Sequence, residues 1–293
     1  MGVAIVSNAL ELREIQKNEL PTLLKWYQDA EWNPGLNDLD TFAATETGHF
    51  FVGLLNDNIV SCIAATIYQS HYAFLGYYFV EPESLRGKGY GIQVWDYALD
   101  QLARKGIQNI GLDGVIEQVD NYARKEFVSA YLHQRHVYEV NGNETCATTV
   151  SNAPPSINEL IAFDAQYVSE ARPSFAHAFL TADPTRKHAV IRASDGAITG
   201  YSTIRQATEG YRMGPLHALN PTDAADLINS LCAGLPKGRH VYLDIPEANA
   251  KRQTLIDSLN LSPIAFDCMR MYKGQAPSVN LNEIFAVTSI EMG

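Results

Sequence analysis

A glycine-rich loop near residue 90 constrains the fold of this chain more than any other segment. An apolar run ends at Val80, the loop at residues 86–91 reads RGKGYG, and an amphipathic helix begins near Tyr90. Glycines let the backbone approach a ligand closely, and the first N–H groups of a helix have no partner within it. Together with the helix dipole, these groups favour a bound anion. The pattern predicts a strand–loop–helix unit that holds the pyrophosphate of a nucleotide-like cofactor.

The glycine spacing excludes two common nucleotide sites. A dinucleotide-binding fold needs Gly-x-Gly-x-x-Gly and an acidic residue about twenty positions later. A P-loop needs Gly-Lys followed by Ser or Thr. Here the glycines alternate, and Gly87-Lys88 is followed by Gly89 rather than by a hydroxyl.

The loop resembles a known family signature. Residues 86–91, following Val80-Glu81-Pro82, are similar to the acetyl-coenzyme A motif of the GNAT acetyltransferases, Arg/Gln-x-x-Gly-x-Gly/Ala. The resemblance implies an α+β fold with acetyl-CoA as the acyl donor. It covers the first half of the chain, from about Ile5 to Val140.

Charge and cysteine usage limit the partners and the compartment. The chain has 293 residues and a formal net charge of −11, which argues against nucleic acid and against anionic membranes as partners. It shows no apolar run long enough to span a bilayer and no secretory signal. Four scattered cysteines without a Cys-x-x-Cys pair favour a cytoplasmic protein with reduced thiols and no structural metal.

The order of predicted elements repeats along the chain. In each half, helices precede a hairpin, with turns at residues 56–58 and 195–196, and strand–helix connections follow. Two prolines mark a linker at residues 151–156. We predict tandem GNAT-like domains at residues 1–150 and 157–275, each a mixed, mostly antiparallel sheet flanked by helices, and a tail at residues 276–293. Asp38 is a possible helix cap.

The resemblance also assigns cofactor contacts. In the family, the fourth and fifth strands splay apart and the pantetheine arm fills the gap, so a backbone N–H of the fourth strand polarises the thioester carbonyl as an oxyanion donor. Asn121, in the helix after the fifth strand, would bond the arm. The implied cofactor-binding residues are Tyr78, Phe79, Val80, Arg86, Gly87, Lys88, Gly89, Tyr90, Gly91 and Asn121.

Catalytic roles follow from the same resemblance. Tyr122 stands five positions before Phe127, where the family places a tyrosine that protonates the departing thiolate, a proton transfer suited to a phenol. Glu126 replaces the usual glycine before Phe127. An ammonium acceptor must lose a proton before attack, and Glu81, just after the fourth strand, is the best-placed base. The other candidates are Glu83, Asp113, Glu117, His49 and His71.

The predicted binding site for the acceptor includes a turn between the first two helices. Trp32 and Asn33 lie in a Pro-Gly turn beside acids, in the region that walls the acceptor pocket in this family. A Trp there can hold a cationic amine by a cation–π contact. The second half lacks the alternating glycines and has Ile256 where Tyr122 would stand. It is therefore predicted to be a degenerate domain.

These observations favour one function and leave alternatives open. The leading hypothesis is an N-acetyltransferase that moves an acetyl group from acetyl-CoA to an amine of a small molecule or peptide, by direct attack in a ternary complex. A non-catalytic CoA-binding or interaction module that retained the fold is the alternative. A donor with another acyl group, and a monomer or a homodimer, are both compatible with the sequence.

Overall fold

Both halves of the chain contribute strands to one sheet. The computed structural model describes residues 9–45, 48–68, 71–168, 171–181 and 183–293. The first eight residues of the predicted first domain therefore lie outside the described residues.

The described part of the first half contains six strands and four α-helices. The strands are β1 (Glu11–Glu14), β2 (Gly48–Leu55), β3 (Asn58–Tyr68), β4 (Tyr72–Val80), β5 (Asn109–Val115) and β6 (Val128–Glu139). The helices are α1 (Leu20–Asp29), α2 (Asp38–Ala43), α3 (Tyr90–Arg104) and α4 (Val119–Ala123). The predicted hairpin at residues 56–58 is confirmed: Asn56 and Asp57 take positive φ values of 49° and 64° between β2 and β3.

The second half repeats this order. Its strands are β7 (Val150–Ser151), β8 (Lys187–Arg192), β9 (Ile198–Gln206), β10 (Tyr211–Ala218), β11 (His240–Pro246), β12 (Ser262–Lys273) and β13 (Ile284–Ala286). Its helices are α5 (Ile157–Val168), α6 (Pro173–Thr181), α7 (Pro221–Cys232) and α8 (Arg252–Leu259). The second hairpin turns at Gly196, where φ is 89°.

The two halves exchange their last long strands. The sheet order is β1-β2-β3-β4-β5-β12-β6-β11-β10-β9-β8-β7, and β13 pairs with β10. Thus β12 pairs with β5 of the first half, and β6 pairs with β11 of the second. Only β4–β5 and β10–β11 are parallel pairs in the described sheet. The mixed, mostly antiparallel α+β architecture is as predicted, and the halves share hydrogen bonds at its centre.

The helix after the glycine loop follows from its apolar spacing. Val94, Trp95, Ala98 and Leu102 are buried along one face of α3, at the intervals that a helical turn brings together. They pack on residues of β2 to β5. Gly106, with φ at 78°, ends the helix in the left-handed conformation that glycine adopts without steric penalty.

Asp38 ties the two halves together and does not cap a helix. Asn37 precedes α2 as its N-terminal flanking residue, and Asp38 is the first helical residue. The Asp38 carboxylate is 1% exposed and accepts from Arg205 Nε at 2.8 Å, across the boundary between the halves. The predicted helix cap is therefore wrong, because the Asp38 carboxylate binds the buried Arg205 guanidinium instead of the helix N-terminus.

The tail predicted at residues 276–293 folds back into the body of the protein. Its strand β13 pairs with β10, and Val287 N donates to the Asp244 carbonyl of β11 at 3.1 Å. Farther along the tail, the Met292 carbonyl accepts from the hydroxyl of Tyr68, which belongs to the first half. The tail therefore contacts both halves.

Candidate functional site

The site begins where β4 and β5 separate. These strands pair only from Tyr72 to Leu75 on β4, and both continue beyond that point. Tyr77 interrupts the pairing of β4 with β3 as a bulge with φ at 50°, and its carbonyl accepts from the Tyr27 hydroxyl at 3.0 Å. The bulge and the divergence leave a slot between the two strands, which begins at Gly76 and Asp113.

The anion cradle lies at the outer end of this slot. Gly87 and Gly89 have φ values of 74° and 85°, a conformation that favours glycine. Gly89 precedes α3 and supplies no side-chain cap, so the first amides of α3 remain available to a ligand. Arg86 is half-exposed beside them, and its Nε donates to the Val80 carbonyl at 3.1 Å. The arrangement suits a phosphate group.

One open cavity of about 660 Å³ joins the cradle to the slot. Most of the predicted site residues line it, which places them around a single volume. They are Trp32, Tyr78, Phe79, Val80, Arg86, Gly87, Gly89, Gly91, Asn121 and Tyr122.

Four other predicted residues lie outside the cavity wall. Glu81 lies 3.5 Å from Arg86 in an ion pair at the rim, and Lys88 is exposed in the loop. Tyr90 is buried in a separate cluster with Leu10 and Val60. Asn33 exchanges two hydrogen bonds with the backbone of Glu209, at 2.8 and 2.9 Å, and so connects the halves.

Tyr122 points its ring at the slot from α4. It stacks on Trp95 with ring centroids 5.4 Å apart, and its hydroxyl makes no hydrogen bond to any described residue. Burial raises the pKa of Tyr122 well above its usual value, so the phenol keeps its proton at neutral pH. This protonated hydroxyl is a donor in the cavity with no acceptor in the part of the chain that the structure describes.

The substitution of glycine by Glu126 leaves the turn after α4 in place. Glu126 adopts a φ of 71°, and Phe127 N donates to the Tyr122 carbonyl at 3.2 Å. Its carboxylate accepts from Lys273 Nζ of β12 at 2.7 Å. A non-glycine residue therefore holds the left-handed conformation, with an exposed ion pair across the exchanged strands.

Trp32 forms part of the wall near the bulge. It stacks on Tyr27 at 5.3 Å and meets Phe79 edge-on at 5.4 Å. Its carbonyl accepts from Arg135 Nη1 at 3.0 Å. The turn that carries Trp32 is thus anchored to β6, and the indole is presented to the cavity.

The tertiary structure adds residues that sequence reasoning missed. Arg124 and Lys125 supply further cations, and they follow the recognised Asn-Tyr pair after one alanine, so the local sequence carried that signal. Phe266, Cys268, Ile290 and Glu291 come from β12 and the tail. No local motif marks these four, since only the strand exchange and the folded-back tail bring them to the first half.

Comparison with known proteins places this geometry in a family. Residues 11–128 match the Acetyltransferase (GNAT) family, and residues 160–286 match an Acetyltransferase (GNAT) domain. The holothin acyltransferase of Pseudoalteromonas sp. (strain SANK 73390) is 31% identical over 270 residues, covering 92% of this chain and 90% of the relative. The chain belongs to the GNAT acyltransferase family. It carries two GNAT domains in tandem, as the sequence predicted.

Solved structures share the whole architecture of this GNAT protein. A protein from Pyrococcus horikoshii described as an acetyltransferase superimposes with a TM-score of 0.79 at 19% identity, covering 100% of this chain and 99% of that one. A tandem GNAT protein from the clavulanic acid biosynthesis pathway gives a TM-score of 0.64 at 14% identity, with 92% and 99% covered. At such identities the similarity shows the fold.

The second GNAT domain closes the two features that the first leaves open. Its helix α7 starts with Pro221, which has no N–H, and the Asn220 side chain accepts from Asp223 N at 2.9 Å. The gap between β10 and β11, which pair only at Tyr211 and Arg212, is filled by β13. The chain's own tail thus occupies in the second domain the place that stays open as a cavity in the first.

The cavity of this GNAT protein contains a cysteine with low reactivity. Cys268 lines the cavity, but burial raises the pKa of its thiol well above the usual value, so it is a poor nucleophile.

Within the described residues, no helix has both the length and the apolar character needed to cross a bilayer.

Proposed function

We propose that this protein transfers an acetyl group from acetyl-CoA to a primary amine of a small molecule or peptide, by direct attack within a ternary complex. The observation that carries the proposal is the single cavity that connects the uncapped start of α3 to the splayed end of β4 and to the Tyr122 hydroxyl. Anion cradle, slot and proton donor are arranged in the order that an acyl-CoA thioester requires.

Each part of the cavity has a defined task. The amides at the start of α3 and the Arg86 guanidinium hold the phosphates of the donor. Backbone N–H groups of β4 near the bulge stabilise the negative charge that develops on the thioester oxygen during attack. Tyr122 supplies a proton to the departing sulfur. The raised pKa of Cys268 keeps its thiol protonated, which disfavours an acyl-enzyme and supports direct attack.

The acceptor enters from the side of Trp32, where the two domains meet. Trp32 of the first domain and Phe266 of the second line the cavity there, and both are aromatic faces suited to an apolar body that carries a cation. The relative's name identifies holothin as the acceptor of that protein, so holothin belongs in the panel of amines to be tested here.

Replacing the tyrosine hydroxyl tests the mechanism. We expect Tyr122→Phe to lower kcat by about tenfold or more, because the thiolate then leaves without a proton. The Kd for CoA should stay unchanged, since the ring still stacks on Trp95. Thiol release across an amine panel and calorimetric binding of CoA measure the two quantities.

Tyr97→Phe is the matched control, because Tyr97 lies on α3 against Phe51 and does not line the cavity. An unchanged kcat in Tyr122→Phe would remove the proton-donor role. If wild-type protein binds CoA but releases no thiol with any amine in the panel, the non-catalytic binding module becomes the better description.

A further inference from the structure

A buried carboxylate lies at the inner end of the cavity, where β4 leaves β5. Glu291 belongs to the tail, is 5% exposed and lines the cavity together with Gly76 and Tyr77. A side chain on Gly76 would overlap the Glu291 carbonyl oxygen, so glycine is required for the tail to approach β4. Glu291 therefore lies at the inner end of the slot, opposite to the anion cradle.

Among the described residues, no cation forms a direct ion pair with this carboxylate. Ser289 Oγ donates to it, and no ion pair within 4 Å involves Glu291 among the described residues. The nearest cations, Arg135 and Arg212, are both held by Asp244. Two guanidiniums and one aspartate leave one positive charge in excess, which an ionised Glu291 balances.

The surroundings suit a group that both holds and releases a proton. Burial raises the pKa of Glu291, while Arg212, the Ser289 hydroxyl and Arg135 oppose that rise and Asp244 adds to it. The other titratable groups that face it are the Tyr77 and Tyr27 phenols and the Cys268 thiol, all of them neutral because of burial.

The other acid in the cavity wall is already paired. Asp113 and Glu291 are the two acidic residues that line the cavity within the described part of the chain. Asp113 accepts from Arg270 Nε at 2.6 Å and from Arg270 Nη2 at 2.8 Å, so its charge is neutralised. Glu81 lies at the rim with Arg86. Glu291 is the cavity acid that lies at the inner end of the slot and makes no direct ion pair with a described residue.

We propose that Glu291 binds the ammonium group of the acceptor and removes its proton, an assignment that rests on the proposed acyl transfer. One N–H proton passes to the Glu291 carboxylate, and the freed nitrogen lone pair forms the C–N bond while the carbonyl π pair moves onto oxygen. When that pair returns, the C–S bond breaks and its electrons leave with sulfur. Tyr122 protonates the thiolate, and one of the two protons left on the attached nitrogen passes through water to restore the phenol, while the other stays on the amide product. Glu291 then releases its proton to solvent.

The assignment defines a class of acceptor. The cavity lining includes the apolar and aromatic side chains Trp32, Phe79, Phe266 and Ile290. A compact primary amine on an aromatic or apolar body matches this lining, because its charge reaches Glu291 while its body stays against the rings.

Amines of different basicity test the role of the carboxylate. Glu291→Gln keeps the size of the side chain and removes its charge. With benzylamine, an ammonium ion at pH 7.5, we expect thiol release from acetyl-CoA to fall about 100-fold. With aniline, whose nitrogen is already neutral, the rate should fall less than about threefold. Glu283→Gln removes one acid from the same tail, outside the cavity, and should match wild type with both amines.

Two binding measurements separate this inference from the proposed function. CoA should bind wild type and Glu291→Gln equally, and failure to bind wild type would refute the proposed function. With CoA present, benzylammonium should bind wild type about tenfold more tightly than Glu291→Gln in calorimetry. Equal benzylammonium binding, no measurable binding to wild type, or an equal loss of rate with benzylamine and aniline would each overturn the role of Glu291.

Discussion

Gly89→Glu is expected to abolish the stabilisation that acetyl-CoA confers on the protein. Wild type at a cofactor concentration of 100 times Kd gains about 2.7 kcal/mol, which appears as a higher Tm. A glutamate at the start of α3 places a carboxylate where the phosphates would bind, and its charge repels them. We expect a loss of affinity above about 100-fold, and acyl transfer should disappear with it.

A matched variant separates charge in the cradle from backbone strain. Gly106 ends the same helix at a φ of 78°, close to the 85° of Gly89, and a Cβ added there meets no described atom within 4 Å beyond its chain neighbours. Gly106→Glu therefore pays a similar conformational penalty outside the cavity. It should lower Tm without cofactor but keep the full shift with acetyl-CoA. Equal shifts in Gly89→Glu and Gly106→Glu would refute the cradle.

Of the substitutions proposed for this protein, Asp244→Asn should lower the free energy of unfolding most, by about 3–5 kcal/mol. Arg135 donates to Asp244 at 2.7 and 3.2 Å from β6, and Arg212 forms a second ion pair from β10. All three side chains are at most 5% exposed. Removing the carboxylate charge leaves two guanidiniums buried without their partner, at the junction between the exchanged strands. Urea denaturation measures the change as a lower midpoint with an unchanged slope.

An exposed pair provides the contrast. Lys25 and Asp29 form an ion pair at 2.7 Å, but their side chains are 71% and 62% exposed. Asp29→Asn should therefore change stability by less than about 0.5 kcal/mol. Burial by itself would raise the pKa of Asp244, but the charges of Arg135 and Arg212 and the hydrogen bond from Arg135 hold it well below its usual value. The contribution of Asp244 to stability is therefore complete above about pH 5 and is lost only in strong acid. If Asp244→Asn lowers the free energy of unfolding no more than Asp29→Asn does, the buried cluster tolerates the loss of the Asp244 charge and the prediction is wrong.

Features coded by neighbouring residues were predictable. The alternating glycines before α3, the apolar face of that helix and the hairpin at Asn56-Asp57 depend on backbone preferences over a few positions. These features supported the family and the tandem α+β fold, and both predictions are confirmed. The domain boundaries and the roles of Tyr122, Glu81, Trp32 and the other site residues stay predictions.

Features that depend on distant contacts were not predictable. The Asp38 carboxylate was assigned to a helix cap because Arg205, its partner, stands 167 positions away. The exchange of β6 and β12 has no local signature, since either strand pattern fits its own half equally well. The tail gave no clear pattern, although it contacts Tyr68 across 224 positions.

The local sequence was enough to identify a candidate anion-binding loop. The glycine spacing, the uncapped helix start and the nearby cations all belong to one loop, so the sequence of that loop is enough to predict their chemistry. The residues at the opposite end of the cavity are defined only by packing between distant parts of the chain. Exchanged strands and a folded-back tail bring Phe266 and Glu291 into the first domain, and burial there sets the pKa of the carboxylate. Position and burial arise from packing between remote segments, and no local pattern encodes them.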